Sequence, residues 1–282
     1  MKSRVASCLS HASHKLQPPL KSIRSSMIER WEQSFSAEAI YSHTLEGFSL
    51  KPSGAYSYAR QAFPEMAGIV QRTEALVNYD ITDIECLSAL DEDIPHYDTL
   101  DEFIETERPL FVADISDEAL ARHLRWSEVR ITDPGRGDFL QRWDWDGRLT
   151  LSNAGGTHHL AAARFIAARL QRSVPLRSRL IRHTLSEDAL LSLTSRFSLW
   201  AINISLRATE TAVRDELRRQ RTAYFTFSMP IPYRQAVGLL IPHTAARQDM
   251  TRSTLAALGA MDVGSHLEAL LLRQNCRLNP DA

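Results

Sequence analysis

Residues Gly155, Gly156, Thr157, His158 and His159 bring two glycines, a hydroxyl and two imidazoles into five consecutive positions. Each residue type suits one part of an anion site. Adjacent glycines let backbone approach a ligand closely and adopt positive φ. A helix starting just after them presents unpaired amides and the positive end of its dipole, a ready place for phosphate. The Thr157 hydroxyl can cap the first turn. His158 can donate to a phosphoryl oxygen, or act as acid or base near neutral pH. His159 stands about 100° further around an ideal helix, so the two rings point differently. It also falls beside the apolar stripe Leu160, Ala163, Ile166, Ala167 and Leu170, which makes His158 the better ligand contact. The candidate set is therefore His158 as the catalytic residue, with Asn153, Gly155, Gly156, Thr157 and His159 binding the ligand. Two other readings stay open. The five residues could form only a tight turn and helix start, or the histidines could chelate a metal with His123 or His183. Adjacent histidines lack the same-face spacing of a helical metal site, so no metal ligand is assigned.

The elements around the motif must place it. Arg148 to Asn153 alternates polar and apolar residues with β character, and Leu160 to Leu170 is a strong helical pattern. Val174 to Thr184 reads as a strand, with Ser186 capping a helix toward Phe197. Upstream, helices are expected over Ser26–Tyr41, from Pro64 to Val77, over Leu100–Glu107 behind the Asp98 and Thr99 cap signals, and from Ser116 to Trp126. Strands are expected at Leu110–Ala113 and Glu128–Thr132, with a flexible turn at residues 133–138. Downstream, strands at Trp200–Ser205, Ala223–Met229 and Ala236–Pro242 surround an arginine-rich helix near Glu210–Arg221. A helix or helix pair covers Thr251–Gln274. The fold class is mixed α/β, without repeats. It divides into an arm over 1–25, a mainly helical acidic region over 26–125, a core over 126–197, and a mixed α/β extension over 198–282 packed with that core as one unit.

Composition narrows the function classes. The chain has 282 residues, 44% hydrophobic and 24% charged, enough to bury a core without staples. Cys8, Cys86 and Cys276 are far apart and show no paired metal-ligand spacing, which fits a reducing, cytoplasmic setting. No stretch approaches the roughly 20 apolar residues of a membrane span. The opening segment is basic and serine-rich, which suits a disordered tail or a targeting signal. Net charge is −1, but residues 74–120 hold fifteen acidic residues against one arginine, and arginine is in excess after residue 120. A solvated acidic face explains the first, and a solvated helix explains Arg214, Arg218, Arg219 and Arg221 interleaved with Asp215 and Glu216. Trp143 and Trp145 could frame a base or sugar, although packing is the commoner use of such aromatics. Arg177 and Arg179 share one strand face and Arg182 takes the other.

The run from Leu149 to Leu190 orders strand, glycine pair, alanine-rich helix, strand and helix, with Gly155, Gly156, His158, Leu160, Ala161, Ala162, Val174 and Pro175 at its key positions. Over about forty residues it resembles the core of the sulfiredoxin and ParB-like superfamily, in which a strand ends in a GGxHR or GxRR loop. It is also similar to uncharacterised bacterial proteins with a GG(S/T)HH signature. The resemblance implies a phosphate-binding α/β core. Thr157 stands where sulfiredoxins have a reactive cysteine, and His159 replaces the arginine of both motifs, losing a permanent charge and a planar donor fork. The leading expectation is binding of a phosphorylated small molecule, most plausibly a nucleotide with Mg, with phosphoryl transfer or phosphoester hydrolysis as the reaction. The alternative is a non-catalytic interaction or regulatory protein with a protein partner. Nucleic-acid binding stands third, because the acidic block and near-zero net charge oppose it.

Overall fold

The computed structural model describes residues 16, 19–40, 43–90, 96–132, 137–204, 207–243 and 248–278. Most of the arm expected over 1–25 lies outside these, as do residues 91–93 of the acidic block, most of the turn expected at 133–138, and Ser205. The chain runs α1 (Glu32–Phe35), β1 (Thr44–Leu50), β2 (Tyr56–Ala62), β3 (Val70–Asp80), β4 (Ile84–Leu87), α2 (Leu100–Glu107), α3 (Asp117–Leu124), β5 (Phe139–Trp143) and β6 (Leu149–Ser152). It continues through α4 (Thr157–Leu170), β7 (Pro175–Leu185), α5 (Glu187–Thr194), β8 (Phe197–Asn203), α6 (Arg207–Arg219), β9 (Tyr224–Ser228), β10 (Ala236–Pro242), α7 (Gln248–Ala257), β11 (Met261–Asp262) and α8 (Val263–Leu278). The fold is mixed α/β, as the sequence predicts. Among the described residues, no helix is long and apolar enough to cross a membrane.

Local chemistry sets several helix starts. Thr99 accepts from the Glu102 amide at 3.1 Å, Ser116 from Ala119 at 3.1 Å, and Ser186 from Ala189 at 3.4 Å. Each hydroxyl satisfies one amide that the helix leaves without an internal partner.

Other expectations fail for identifiable reasons. The region 26–125 is not mainly helical, because it supplies β1 to β4. Pro64 opens only a 3₁₀ turn, Pro64–Gly68, after which the expected helix is replaced by β3. Val70, Thr73 and Val77 favour extended backbone, and an edge position in the sheet leaves much of this strand exposed. The helix expected over Ser26–Tyr41, whose last residue lies outside the described ones, is replaced within Ser26–Ile40 by a 3₁₀ turn and the four-residue α1. Leu110–Ala113 begins within the 3₁₀ turn Pro109–Phe111, where the proline lacks a ladder donor. Glu128–Thr132 forms no strand; the Val129 amide closes a turn on Trp126 O at 2.9 Å.

The chain forms two compact units. One joins Arg30–Gln71 to Leu185–Ala282, and the other joins Pro19–Glu29 to Arg72–Thr184. The division falls at Leu185, so 198–282 groups with residues 185–197 of the expected core, while 126–184 belongs to the other unit. The reason is strand pairing: β9 pairs with β1, Glu46 opposite Thr226, and not with β5 or β7. The first unit carries an antiparallel six-stranded sheet in the order β11-β8-β10-β9-β1-β2.

The second unit carries a mixed sheet in the order β3-β7-β5-β6-β4, in which β5 runs antiparallel to β6 and parallel to β7. Helices α2 and α3 both pack on α4. The buried face of α4 is wider than the predicted stripe, with Ala161, Ala162 and Phe165 added to Leu160, Ala163, Ile166 and Ala167. They pack with Ile84, Phe103, Leu120 and Leu151. Trp143 and Trp145 are fully buried packing residues, as their commoner use suggests. Trp145 Nε1 donates to Glu29 O at 3.0 Å, and Trp143 stacks on the buried His183. Arg214, Arg218 and Arg219 of α6 are held by their own helix, through Glu210–Arg214, Asp215–Arg218 and Glu216–Arg219 pairs.

Candidate functional site

The five-residue motif lies at the start of α4 in the second unit. Gly156 is the N-cap residue, with φ +70. A Cβ there would lie 2.6 Å from Glu128 O, so both conformation and space demand glycine. The turn is tied on every side by the chain itself. Asn153 N donates to Ser88 Oγ at 3.0 Å, and Asn153 Oδ1 accepts from the Ala89 amide at 3.3 Å. Asn153 Nδ2 donates to Gly155 O at 2.7 Å and to Thr157 Oγ1 at 3.3 Å. The nearly buried Thr157 hydroxyl donates to Ala89 O at 2.5 Å. It therefore does not cap its helix as expected, because the segment after β4 supplies a carbonyl acceptor.

Two carboxylates complete the turn. Gly156 N donates to Glu128 Oε2 at 3.1 Å, and the Ala154 amide bonds to Asp138. The Gly156 amide, expected to stand open toward phosphate, thus already holds an anionic oxygen. Carboxylates are favoured here by the positive helix end. Burial pushes the Asp138 carboxyl up, against the opposing pull of Arg130 at 3.4 Å. Glu128 is exposed.

The two histidines diverge as their helical spacing requires. His158 stacks on Phe103, with ring centroids 5.1 Å apart. His159 lies flat on Trp126 at 4.2 Å and 7°, and its Nδ1 is 2.9 Å from Nδ1 of His123. His123 Nε2 is 3.0 Å from Phe111 O. This chain of contacts assigns the protons. A carbonyl only accepts, so His123 Nε2 carries hydrogen; the neutral ring then accepts at Nδ1. His159 must therefore donate from Nδ1, which leaves its Nε2 as the basic nitrogen. Burial lowers the pKa of both rings, and His159 is lowered further by the neighbouring His123 and His158. Neutral imidazole is the form expected of a proton acceptor at pH 7.

The structure thus brings Asn153, Gly155, Gly156, Thr157, His158 and His159 to one helix start and joins His123 to His159. His183 goes elsewhere, against Trp143. Arg182 bonds Asp144 at 2.7 Å, while Arg179 meets Glu74 at 3.5 Å and covers Phe139. Sequence reasoning missed Ser88, Ala89, Glu128, Asp138, Phe111 and Trp126, none of which belongs to a contiguous motif. Among the described residues, no group of three or more His, Cys, Asp or Glu side chains could hold a metal ion.

Comparison with known proteins adds one finding. The profile of a family of unknown function, DUF6685, matches residues 74–280. The chain belongs to that family. No curated protein and no solved structure matches it. The matched DUF6685 region contains the whole turn and every side chain described around it, from Ser88 to His159.

Proposed function

We propose that the α4 start binds a phosphorylated small molecule, a nucleotide being the leading case, and that His159 rather than His158 accepts a proton during phosphoryl transfer or phosphoester hydrolysis. The observation that carries this reading is the His159–His123–Phe111 relay, because it fixes a tautomer with a basic Nε2 at a helix N-terminus. The exposed Glu128 carboxylate marks where an anionic oxygen meets the Gly156 amide. A ligand phosphate would displace it. Order along the chain, with β6, the glycine pair, α4 and β7, supports a distant relation to the sulfiredoxin and ParB-like core. Thr157 offers no thiol chemistry.

A second reading is favoured by a different observation: the amides of Ala154 and Gly156 are already taken by Asp138 and Glu128. On that reading the turn only holds the fold, and the protein acts through a protein partner. Calorimetry with orthophosphate and a nucleotide panel with Mg separates the two. The first expects binding in the wild type that tightens in Glu128→Gln, with turnover reduced on the order of 100-fold or more in His159→Asn. Absence of binding in both wild type and Glu128→Gln overturns it and leaves the second.

A further inference from the structure

We infer a separate chemical centre in the unit built on the antiparallel sheet: a Ser198–His243 pair suited to nucleophilic attack on a small carboxylic ester. Ser198 stands opposite Ile241 where β8 and β10 pair, and His243 follows just beyond the end of β10. Their side chains meet, with Ser198 Oγ 3.1 Å from His243 Nε2. His243 Nδ1 is 2.9 Å from Ser195 O. The backbone carbonyl accepts only, so Nδ1 carries the hydrogen and a neutral ring offers its Nε2 lone pair to the Ser198 hydroxyl. A weak hydroxyl nucleophile needs this arrangement, a base within reach and a third group orienting the base.

The pair opens on space. A cavity of about 380 Å³ is lined by Ser198 and His243 together with Phe197, Leu199, Arg252 and Gly264. That lies toward the small end of ligand pockets, which run from about 300 to 1,000 Å³, and fits a short acyl group. The first turn of α8 also borders the cavity through Gly264 and Ser265, with Asp262 Oδ1 accepting from the Ser265 amide at 3.0 Å. Asp262 thus caps the start of the 16-residue α8, while Arg252 also lines the cavity and brings a positive charge that favours negative charge developing on an acyl oxygen.

The orienting group also selects the substrate class. A carbonyl at Nδ1 stabilises imidazolium less than a carboxylate does, so the pair suits an alkoxide leaving group better than an amide nitrogen. Ser198 Oγ bonds to the acyl carbon as its proton passes to His243 Nε2. The ester C–O bond breaks, and the alcohol leaves with that proton. Water then attacks the acyl-serine, gives its proton through His243 to Ser198, and releases the acid.

The test treats the full chain with an alkyl fluorophosphonate, which phosphonylates an activated serine with loss of fluoride, and follows p-nitrophenyl acetate hydrolysis alongside. Peptide mass spectrometry should place the adduct on Ser198 in the wild type. Ser198→Ala should abolish both signals, and His243→Ala should slow both on the order of 100-fold with the wild-type circular dichroism spectrum retained. An adduct on another serine, no adduct in the folded wild type, or an unchanged rate in His243→Ala overturns the proposal. The wild-type result alone decides whether Ser198 is activated, so a misfolded variant does not remove the test.

Discussion

The α4 turn and the β8–β10 cavity carry histidine in opposite ways. At the turn, one stretch of sequence gathers the chemically capable residues, and the fold then ties most of them up: Thr157 to Ala89, Asn153 to Ser88 and Ala89, and Gly156 to Glu128. At the cavity, no local motif exists. Ser198 and His243 are 45 residues apart, yet their side chains meet beside open space. Compact motifs advertise a site, but bonding within the fold decides which atoms stay available for a ligand.

Glycine substitutions break this comparison most sharply. Gly156→Val should destabilise the protein by about 3 kcal/mol, because it forces a β-branched residue into positive φ and its Cβ against Glu128 backbone. Chemical denaturation measures the loss, and a change below about 1 kcal/mol would show that the turn relaxes easily.

Acidification comes next. The His123 and His159 pKa values lie below the ordinary imidazole value of about 6.5, so the unfolded chain binds protons first as pH falls. Their contribution is complete above about pH 6.5. It declines below that value, until the folded pair also protonates. Thermal melts between pH 7.5 and 5.5 should show falling Tm, with a shallower slope in His159→Gln. An equal slope in the two proteins would remove the histidine pair as its source.

Gly264→Ala at the cavity should have the smallest effect, within about 0.5 kcal/mol in either direction. Its added Cβ would meet Asp262 Oδ1 at 3.4 Å and Thr194 Cγ2 at 3.7 Å, ordinary contacts, and Gly264 has no positive φ. A loss approaching that of Gly156→Val would erase the contrast between the two regions.

Legibility followed the range of the forces involved. Thr99, Ser116 and Ser186 mark helix starts by chemistry that reaches only three residues ahead, and all three were readable. The strand β3 was not, because Val70–Asp80 lies at a sheet edge and exposes most of its side chains, leaving no clean alternation. His158 looked the better ligand contact from helical geometry alone. Phe103 stacks on His158 and His123 bonds His159, contacts that helical geometry alone does not reveal and on which the proposal for His159 rests.

By itself the sequence determined the mixed α/β class, the glycine turn at the start of α4 and the caps of its neighbouring helices, because propensity, periodicity and capping act within one or two turns of chain. Tertiary structure alone decided that Glu128 meets the Gly156 amide across 28 positions, that His123 meets His159 across 36, and that Ser198 meets His243 across 45. Hydrogen-bond direction and proton placement depend on atoms within about 3 Å of one another, and only folding brings such distant residues that close.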